Sequence, residues 1–445
     1  MPKQTEDISK IAESVEVVAM QAKEASEELA QSSEKARNSA LLEMAKALRE
    51  NTEAIIVANA HDVTCAHKAG LSEALIDRLL LNEARIESAA AGLEKLVAMP
   101  DVLNKTLEAR TLESGIELNR VSVPLGVVAV VYEARPNVTV DAAGICIKSG
   151  NACVLRGGSA AAKSCEVLAD TLQRAAVSAG LPQGCIGSVS PASHATSDVL
   201  MNLREYVDVL IPRGGKGLIQ HCIKNSTVPV IETGTGNCHV YVHETADLAQ
   251  ACNILVNAKC RRYGVCNAAE TLLVDKGIAQ EFLPMAFKEL AKHEVTCYMD
   301  KTAMSCASEF CANEATTGGS TLDYELATQA DWECEYLAPK LAIRCMSGVD
   351  AAIEHINTYG TRHSEAIVAS ENANEGLLAI SKFIARVDAA CVYTNASTAF
   401  SDGEMFGLGA EIGISTQKLH VRGPFSAEAL TSSKYILRGA GQVRK

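Results

Sequence analysis

The chain has 445 residues, 48% of them hydrophobic, and a formal net charge of -13; that is too long for one hydrophobic core and rich enough in apolar residues for two or three domains. The acidity argues against a nucleic-acid partner, since phosphate backbones are met by clustered Lys and Arg. No apolar run approaches the roughly 20 residues of a membrane-spanning helix, and the polar start "MPKQTEDISKIAES" is unlike a secretory signal, so the sequence reads as a cytoplasmic enzyme with no membrane partner.

In a reducing cytoplasm the sixteen cysteines are mostly free thiols, and no C-x-x-C pair or H-E-x-x-H points to a metal, so none is expected. Cys153 and Cys165 sit on apolar faces and read as small core residues.

From Ile8 to about Pro100 the pattern is helical, with Leu41, Met44, Leu48 and Ile55 recurring at helical spacing. Between Leu107 and Val123 a Ser-Gly turn separates two alternating segments, which predicts a projecting hairpin suited to oligomer contacts. From Gly126 strand and helix patterns alternate, beginning with "GVVAVVYE" and "VDAAGICIKSG". Such alternation predicts parallel strands with helical crossovers and a nucleotide-binding layout, although many α/β folds share it.

Within this segment "VLRGG" puts Arg156, followed by Gly157, at a strand's carboxyl end, where an adenosine ribose would lie. A guanidinium there suits a 2′-phosphate and so NADP; a surface ion pair is the competing reading. In "PRGGKG" the residues Arg213, Gly214 and Gly215 lie between a strand and a helix, where backbone N–H groups and the helix N-terminus could approach a phosphate. An ordinary β-to-α turn explains them as well.

A second α/β segment runs from near Thr233 to about Ala410. In "RRYGVCNAAETLLV" Cys266 lies in the connection between its first helix and first strand, beside Arg261 and Arg262, whose charge favours the thiolate. In a chain so rich in cysteine, a core role competes with a nucleophilic one. "GLGAEIG" (Gly407 to Gly413) imitates a dinucleotide fingerprint, but its last spacing is too long and no crossover follows, so it reads as a turn with close backbone packing. There is no internal repeat or low-complexity linker.

Taken in order, "PLGVVAVVYEARPNVTVDAAGICIKSGNACVLRGG", "IPRGGKGLI", "VPVIETGTGNCHVYV", "VCNAAETLLV", "EYLAPKLAI" and "FGLGAEIGISTQKLHVRGP" resemble the aldehyde dehydrogenase superfamily and, within it, the γ-glutamyl phosphate reductases, also called glutamate-5-semialdehyde dehydrogenases. "YEARPNVT" and "STQKLHVRGP" carry the narrower likeness. The resemblance implies an α/β, aldehyde dehydrogenase-like fold: a Rossmann-like cofactor domain over 1–106 and 124–232, a catalytic domain over 233–423, and a small β oligomerisation element from 107–123 and 424–445. It also implies a homo-oligomer that reduces L-glutamyl 5-phosphate with NADPH to glutamate 5-semialdehyde and phosphate, the second step of proline biosynthesis. Because the acyl phosphate is labile, a transient handover from a glutamate 5-kinase is a further expectation.

The resemblance assigns roles residue by residue. Cys266 is the nucleophile, and its backbone N–H with the Asn137 amide holds the oxyanion. Glu335 matches the glutamate that holds the nicotinamide ribose, while Arg156, Gly157, Arg213, Gly214 and Gly215 match the adenosine and pyrophosphate side. His239, Arg262, Asn395 and Phe406 are substrate-binding candidates, with a satisfied core histidine the equal alternative for His239. Glu232 in "IETGTG" aligns with the superfamily's general base, but a base that activates water would waste an acyl phosphate, so a structural carboxylate is an equal reading. Two departures stand out: Ala399 in "NASTAF" replaces the usual arginine, and "RRYG" replaces "QRPS" before the nucleophile. The alternative readings are a CoA-acylating aldehyde dehydrogenase and a non-catalytic scaffold.

Overall fold

The structure, a computed structural model, describes residues 8–190, 193–317 and 321–444. The chain forms two compact units, one of Met1–Thr233, Gly407–Gly413 and Pro424–Lys445, the other of Gly234–Phe406 and Ile414–Gly423. Residues 407–413, placed by the sequence in the 233–423 segment, pack with the first unit.

The first unit opens with helices α1 (Ile8–Leu29), α2 (Glu34–Glu50), α3 (Thr52–Lys68), α4 (Glu73–Leu79) and α5 (Glu83–Ala98). Ser33 caps α2 by accepting the Ala36 N–H, and Asn82 caps α5 through the Arg85 N–H, which satisfies donors that a helix start leaves orphaned. The stripe read from the sequence is the buried one: Leu41, Met44, Leu48 and Ile55 have no exposed surface. Next come β1 (Thr106–Thr111), β2 (Glu117–Pro124), β3 (Val127–Tyr132), α6 (Asn137–Lys148), β4 (Ala152–Arg156), α7 (Ala162–Ser178), β5 (Ile186–Ser188), α8 (His194–Leu200), β6 (Val209–Arg213) and α9 (Lys216–Asn225).

Strands β5, β4, β3 and β6 form a parallel sheet in that order. Every residue of β3 and β4 is buried, as parallel strands covered on both faces require. The hairpin expected over 107–123 forms as the antiparallel β1–β2 pair, and the strand Thr431–Arg438 pairs with the other side of β2 to complete a three-stranded sheet. The "GLGAEIG" segment is a turn, with Gly407 at φ 71° and Gly409 at φ 75°. A Cβ on Gly409 would stand 3.2 Å from Met99, the close packing expected of it.

The second unit comprises β7 (Cys238–Val242), α10 (Leu248–Cys260), β8 (Ala269–Asp275), α11 (Ala279–Lys292), β9 (Thr296–Met299), α12 (Lys301–Thr317), β10 (Tyr324–Leu326), α13 (Gln329–Trp332), β11 (Lys340–Met346), α14 (Val349–Tyr359), β12 (Ser364–Val368), α15 (Asn374–Arg386) and β13 (Cys391–Thr394). The strands make a seven-stranded parallel sheet in the order β10-β9-β11-β8-β7-β12-β13. Strand residues alternate between its two faces: Val240, Leu272 and Val274 pack with Leu255, Phe282 and Phe287 of α10 and α11, whereas Tyr241 and Leu273 pack with Ile353 and Phe383 of α14 and α15. This sandwich fixes the ends of β7 and β8, where the candidate chemistry lies.

Candidate active site

Cys266 lies in the loop that leaves α10 and enters β8 at its amino end, and it is partly exposed, unlike most of the cysteines. The loop is held from several sides. The Cys238 thiol, at the start of β7, donates to the Cys266 carbonyl at 3.2 Å. Burial pushes that thiol well above the usual range, which keeps it a neutral donor. Gly236 packs its backbone against the same carbonyl, where a Cβ would fall 1.5 Å from the Cys266 oxygen. The Asn267 amide donates to the carbonyls of Ala399 (3.3 Å) and Ser401 (3.0 Å), and the Thr398 hydroxyl returns a bond to the Asn267 carbonyl at 2.7 Å. Ala399 thus serves the loop through its backbone, so this anchor survives the missing arginine side chain. The "RRYG" departure is compensated in part by Tyr263, whose hydroxyl donates to the His293 carbonyl at 3.2 Å. Arg261 and Arg262 are exposed.

Glu335 belongs to the same neighbourhood: its carboxylate accepts the Gly236 N–H at 2.6 Å. Two residues on, Leu337 has φ 51°, a left-handed conformation disfavoured for a branched side chain. Its N–H is held at 3.1 Å by Glu270, and Glu270 pairs at 2.5 Å with Lys259. Burial drives the Glu270 carboxyl up to about 7 and the Lys259 ammonium down, each opposed by the other's charge. The sequence showed these two charges only as Lys259 in "ILVNAKC" and Glu270 in "AAETLLV"; a charge flanked by apolar residues at either end of the nucleophile loop was the available signal.

His239 is fully buried on β7. Its backbone N–H and its Nδ1 both approach Glu365 Oε2, at 2.8 and 2.9 Å, and its ring meets His355 edge-on. Burial lowers His239 to about 3, so it stays neutral. This is the core-histidine arrangement, with no surface offered to a ligand. Asn395 follows β13 at the carboxyl end of the sheet, where its side chain accepts the Ala369 N–H at 3.0 Å and donates to Glu371 at 3.1 Å. Cys238 and the Cys266 loop mark the amino end, so the structure does not bring Asn395 to the nucleophile. Phe406 is 47% exposed.

In the first unit, Asn137 is exposed at the start of α6 and donates through Nδ2 to Asp141 at 3.2 Å. Arg156 ends β4, as expected, but it is no surface residue: it is buried, its Nη2 donates to the Ser193 carbonyl at 2.6 Å, and its Nε has no hydrogen-bond partner among the described residues. The ion-pair reading is thereby replaced by a desolvated guanidinium. Gly157 is needed beside it, since a Cβ would meet the Cys165 sulfur at 2.6 Å. In the "PRGGKG" turn the Gly215 N–H is donated to Glu133 Oε2 at 2.8 Å, and a Cβ on Gly214 would stand 2.7 Å from the same carboxyl. The anion at the N-terminus of α9 is therefore one of the chain's own side chains. The Arg213 carbonyl accepts the Glu133 N–H at 3.2 Å, while the Arg213 Nε is buried without a hydrogen-bond partner among the described residues. Glu232 is half-buried on the segment after α9.

Residues 5–309 match the family profile described as "Aldehyde dehydrogenase family". The γ-glutamyl phosphate reductase of Moorella thermoacetica is 49% identical over 440 residues, covering 98% of this chain and 100% of that one. The chain belongs to the aldehyde dehydrogenase family, within its γ-glutamyl phosphate reductase branch. The reductase of Thermobifida fusca is 47% identical, covering 97% of this chain and 98% of that one. The crystal structure of γ-glutamyl phosphate reductase from Thermotoga maritima superposes with a TM-score of 0.90 at 39% identity, covering 97% of this chain and 100% of that one. An acetylating aldehyde dehydrogenase from Geobacillus thermoglucosidasius shares the fold at a TM-score of 0.69 and 20% identity, over 99% of this chain and 100% of that one. The α/β, aldehyde dehydrogenase-like fold implied by the sequence motifs is the fold found.

Proposed function

We propose that the chain catalyses the NADPH-dependent reduction of L-glutamyl 5-phosphate to L-glutamate 5-semialdehyde with release of phosphate, the second step of proline biosynthesis. The observation that carries this reading is the 49% identity, over almost the whole of both chains, to a γ-glutamyl phosphate reductase.

The Cys266 thiolate attacks the acyl carbon, and its own N–H, with the Asn137 amide as the assigned second donor, receives the oxyanion. Collapse of that adduct expels phosphate, a good leaving group, and leaves the glutamyl group as a thioester on Cys266. NADPH, when bound, supplies the hydride that takes the thioester to the aldehyde level. The Cys266 sulfur then leaves as thiolate, which returns the nucleophile. The hydrogen bonds to the Cys266 carbonyl and to Asn267 keep the loop in place through both steps.

The residues present fit the cofactor. Arg156, a buried guanidinium whose Nε has no hydrogen-bond partner among the described residues, suits a 2′-phosphate. Gly157, Arg213, Gly214 and Gly215 flank the carboxyl ends of β4 and β6, and Glu335 is the assigned ribose anchor. Phosphate at the α9 N-terminus would have to displace or share the place of Glu133. Arg262 and Phe406, both exposed, remain available to substrate. The enzyme acts in the cytoplasm as a homo-oligomer, with the β1–β2 hairpin and the strand Thr431–Arg438 as its contact element, and receives its labile substrate from a glutamate 5-kinase.

The test is NADP reduction with glutamate 5-semialdehyde, in equilibrium with pyrroline-5-carboxylate, in the presence of phosphate or of CoA. Phosphate dependence that Cys266→Ser abolishes, with NADPH binding retained, is the expected result. Dependence on CoA, or substantial activity in Cys266→Ser, overturns it.

A further inference from the structure

Asp388, in the turn from α15 into β13, is met by three cations of the second unit. Lys418 Nζ stands 2.7 Å from its Oδ2, Arg422 Nη2 2.7 Å from its Oδ1, and Arg362 Nε 3.4 Å from its Oδ2. Lys418, and with it Arg422, holds the Asp388 carboxyl below the usual carboxylate range against the opposing effect of burial, so the group is ionised. Among the described residues none of the three cations pairs with a second carboxylate. Three positive charges against one negative leave an excess of two, in a chain whose net charge is -13. Arg362 and Lys418 are exposed, and the Arg422 Nε has no hydrogen-bond partner among the described residues. Arg362 also has φ 63°, a left-handed conformation that a residue with a side chain keeps only where its surroundings hold it there. Here its carbonyl accepts the Ala390 N–H at 2.8 Å.

The cluster stands at the end of the seven-stranded sheet that carries the nucleophile. Arg362 lies between α14 and β12, and Asp388 just before β13, so both mark the amino ends of their strands, as Cys238 and the Cys266 loop do. Strands β12 and β8 flank β7, which sets them roughly 10 Å apart. Next to Arg362, His363 has its Nδ1 3.7 Å from the Cys238 sulfur, and that thiol bonds the Cys266 carbonyl. The segment bearing Lys418 and Arg422 reaches the same place. The Ile414 carbonyl accepts the Gly234 N–H at 2.8 Å, and a Cβ on Gly234 would stand 2.4 Å from Thr416. Gly234 is two residues before the glycine that packs on the Cys266 carbonyl.

We propose that Arg362, Lys418 and Arg422 bind the phosphate group of the acyl phosphate, and inorganic phosphate when the reaction runs in reverse. The inference rests on the proposed function, in which phosphate leaves the carbon that Cys266 attacks. At neutral pH a phosphate group carries close to two negative charges, which matches the excess held by the cluster; a carboxylate would leave one positive charge unmatched. Guanidinium forks also suit phosphate oxygens. As the adduct collapses, the bond from the acyl carbon to the bridging oxygen breaks with its electron pair on that oxygen. The departing phosphate takes a proton from water and is held as the hydrogen phosphate dianion. Asp388 gathers the three cations and offsets one of their charges.

The experiment follows NADP reduction by glutamate 5-semialdehyde while inorganic phosphate is varied at constant ionic strength. Arg362→Gln and Lys418→Gln should each raise the KM for phosphate by about 10- to 100-fold, as for loss of a charge-assisted hydrogen bond, and leave the KM for the aldehyde at saturating phosphate and the Kd for NADPH within about twofold. Lys418→Arg, which keeps the charge and the donors, should hold the phosphate KM within about threefold of wild type. An unchanged phosphate KM in both glutamine variants would make the cluster a solvated ion-pair network and overturn the site. A raised aldehyde KM with an unchanged phosphate KM would move the cluster to the substrate's α-carboxylate, which overturns it as well. Either result leaves the proposed function standing; a wild type with no phosphate-dependent activity would remove that function, and the inference with it.

Discussion

Lys259 Nζ and Glu270 Oε2 lie 2.5 Å apart, and neither side chain is exposed. Lys259 is in the last turn of α10 and Glu270 is the second residue of β8, so the pair closes the base of the loop that carries Cys266. Glu270 extends the closure to the Glu335 segment through the Leu337 N–H. Removing one member of such a pair strands the other charge without water. Lys259→Met is therefore expected to cost about 3–5 kcal/mol of stability. The double change Lys259→Met with Glu270→Gln, which keeps an acceptor for Leu337, should recover most of it. Urea unfolding of the three proteins checks this, and a single-variant loss below about 1 kcal/mol would rule out a buried charge pair.

Arg156→Ala should raise the Kd for NADPH by about 10- to 100-fold, the size of a charge-assisted hydrogen bond to phosphate. The Kd for NADH should change by less than about twofold, because NADH has no 2′-phosphate. Fluorescence titration with both nucleotides decides it; equal losses would assign Arg156 to holding the Ser193 carbonyl.

Glu133 places a negative charge on the Gly215 N–H at the start of α9. If a cofactor phosphate uses that helix end, the carboxylate repels it. Glu133→Gln is then expected to tighten NADPH by roughly two- to fivefold, in line with about 0.3–1 kcal/mol for one charge at a helix terminus. The same titration reads it, and weaker binding would mean that Glu133 itself contacts the cofactor.

His355 is buried, accepts from Arg344 through Nδ1 at 2.9 Å, and is held down to about 2 by burial, His239 and Arg344. A histidine neutral when folded but with an ordinary value near 6.5 when unfolded takes up a proton only on unfolding, so stability declines as pH falls below about 6.5. His355→Gln, which retains an acceptor for Arg344, should lose less stability between pH 7 and pH 5, by about 2 kcal/mol relative to wild type, since each pH unit below 6.5 is worth about 1.4 kcal/mol. Denaturation midpoints at the two pH values give the difference, and parallel declines would show that other groups dominate.

Much of this was legible from one dimension. The helical stripe of Leu41, Met44 and Leu48, the apolar run of β3 and the Ser-Gly hairpin each follow from a local period that the packed chain keeps. Cys266 was singled out by lying between a helix and a strand, and the structure leaves it in that loop. What a linear reading misses is which end of a sheet a segment reaches. Asn395 follows its strand, while Cys266 precedes one, so the two stand at opposite ends although both sit in motifs of the same family. Burial was equally invisible: nothing in "GNCHVY" tells that His239 bonds Glu365 rather than facing a ligand. Long-range partners such as Glu270 with Leu337, or Glu133 with Gly215, depend on pairings across many residues that no periodicity encodes. Asn137 with Asp141 was within reach, because four residues make one helical turn.

Gly236 has the plainest bearing on how this chain can change. A methyl group there would overlap the oxygen that Cys266 presents, at a separation no longer than a covalent bond. The course of the nucleophile's backbone is thus dictated by a hydrogen atom thirty positions upstream, and drift at that codon is closed even to alanine, the gentlest of replacements.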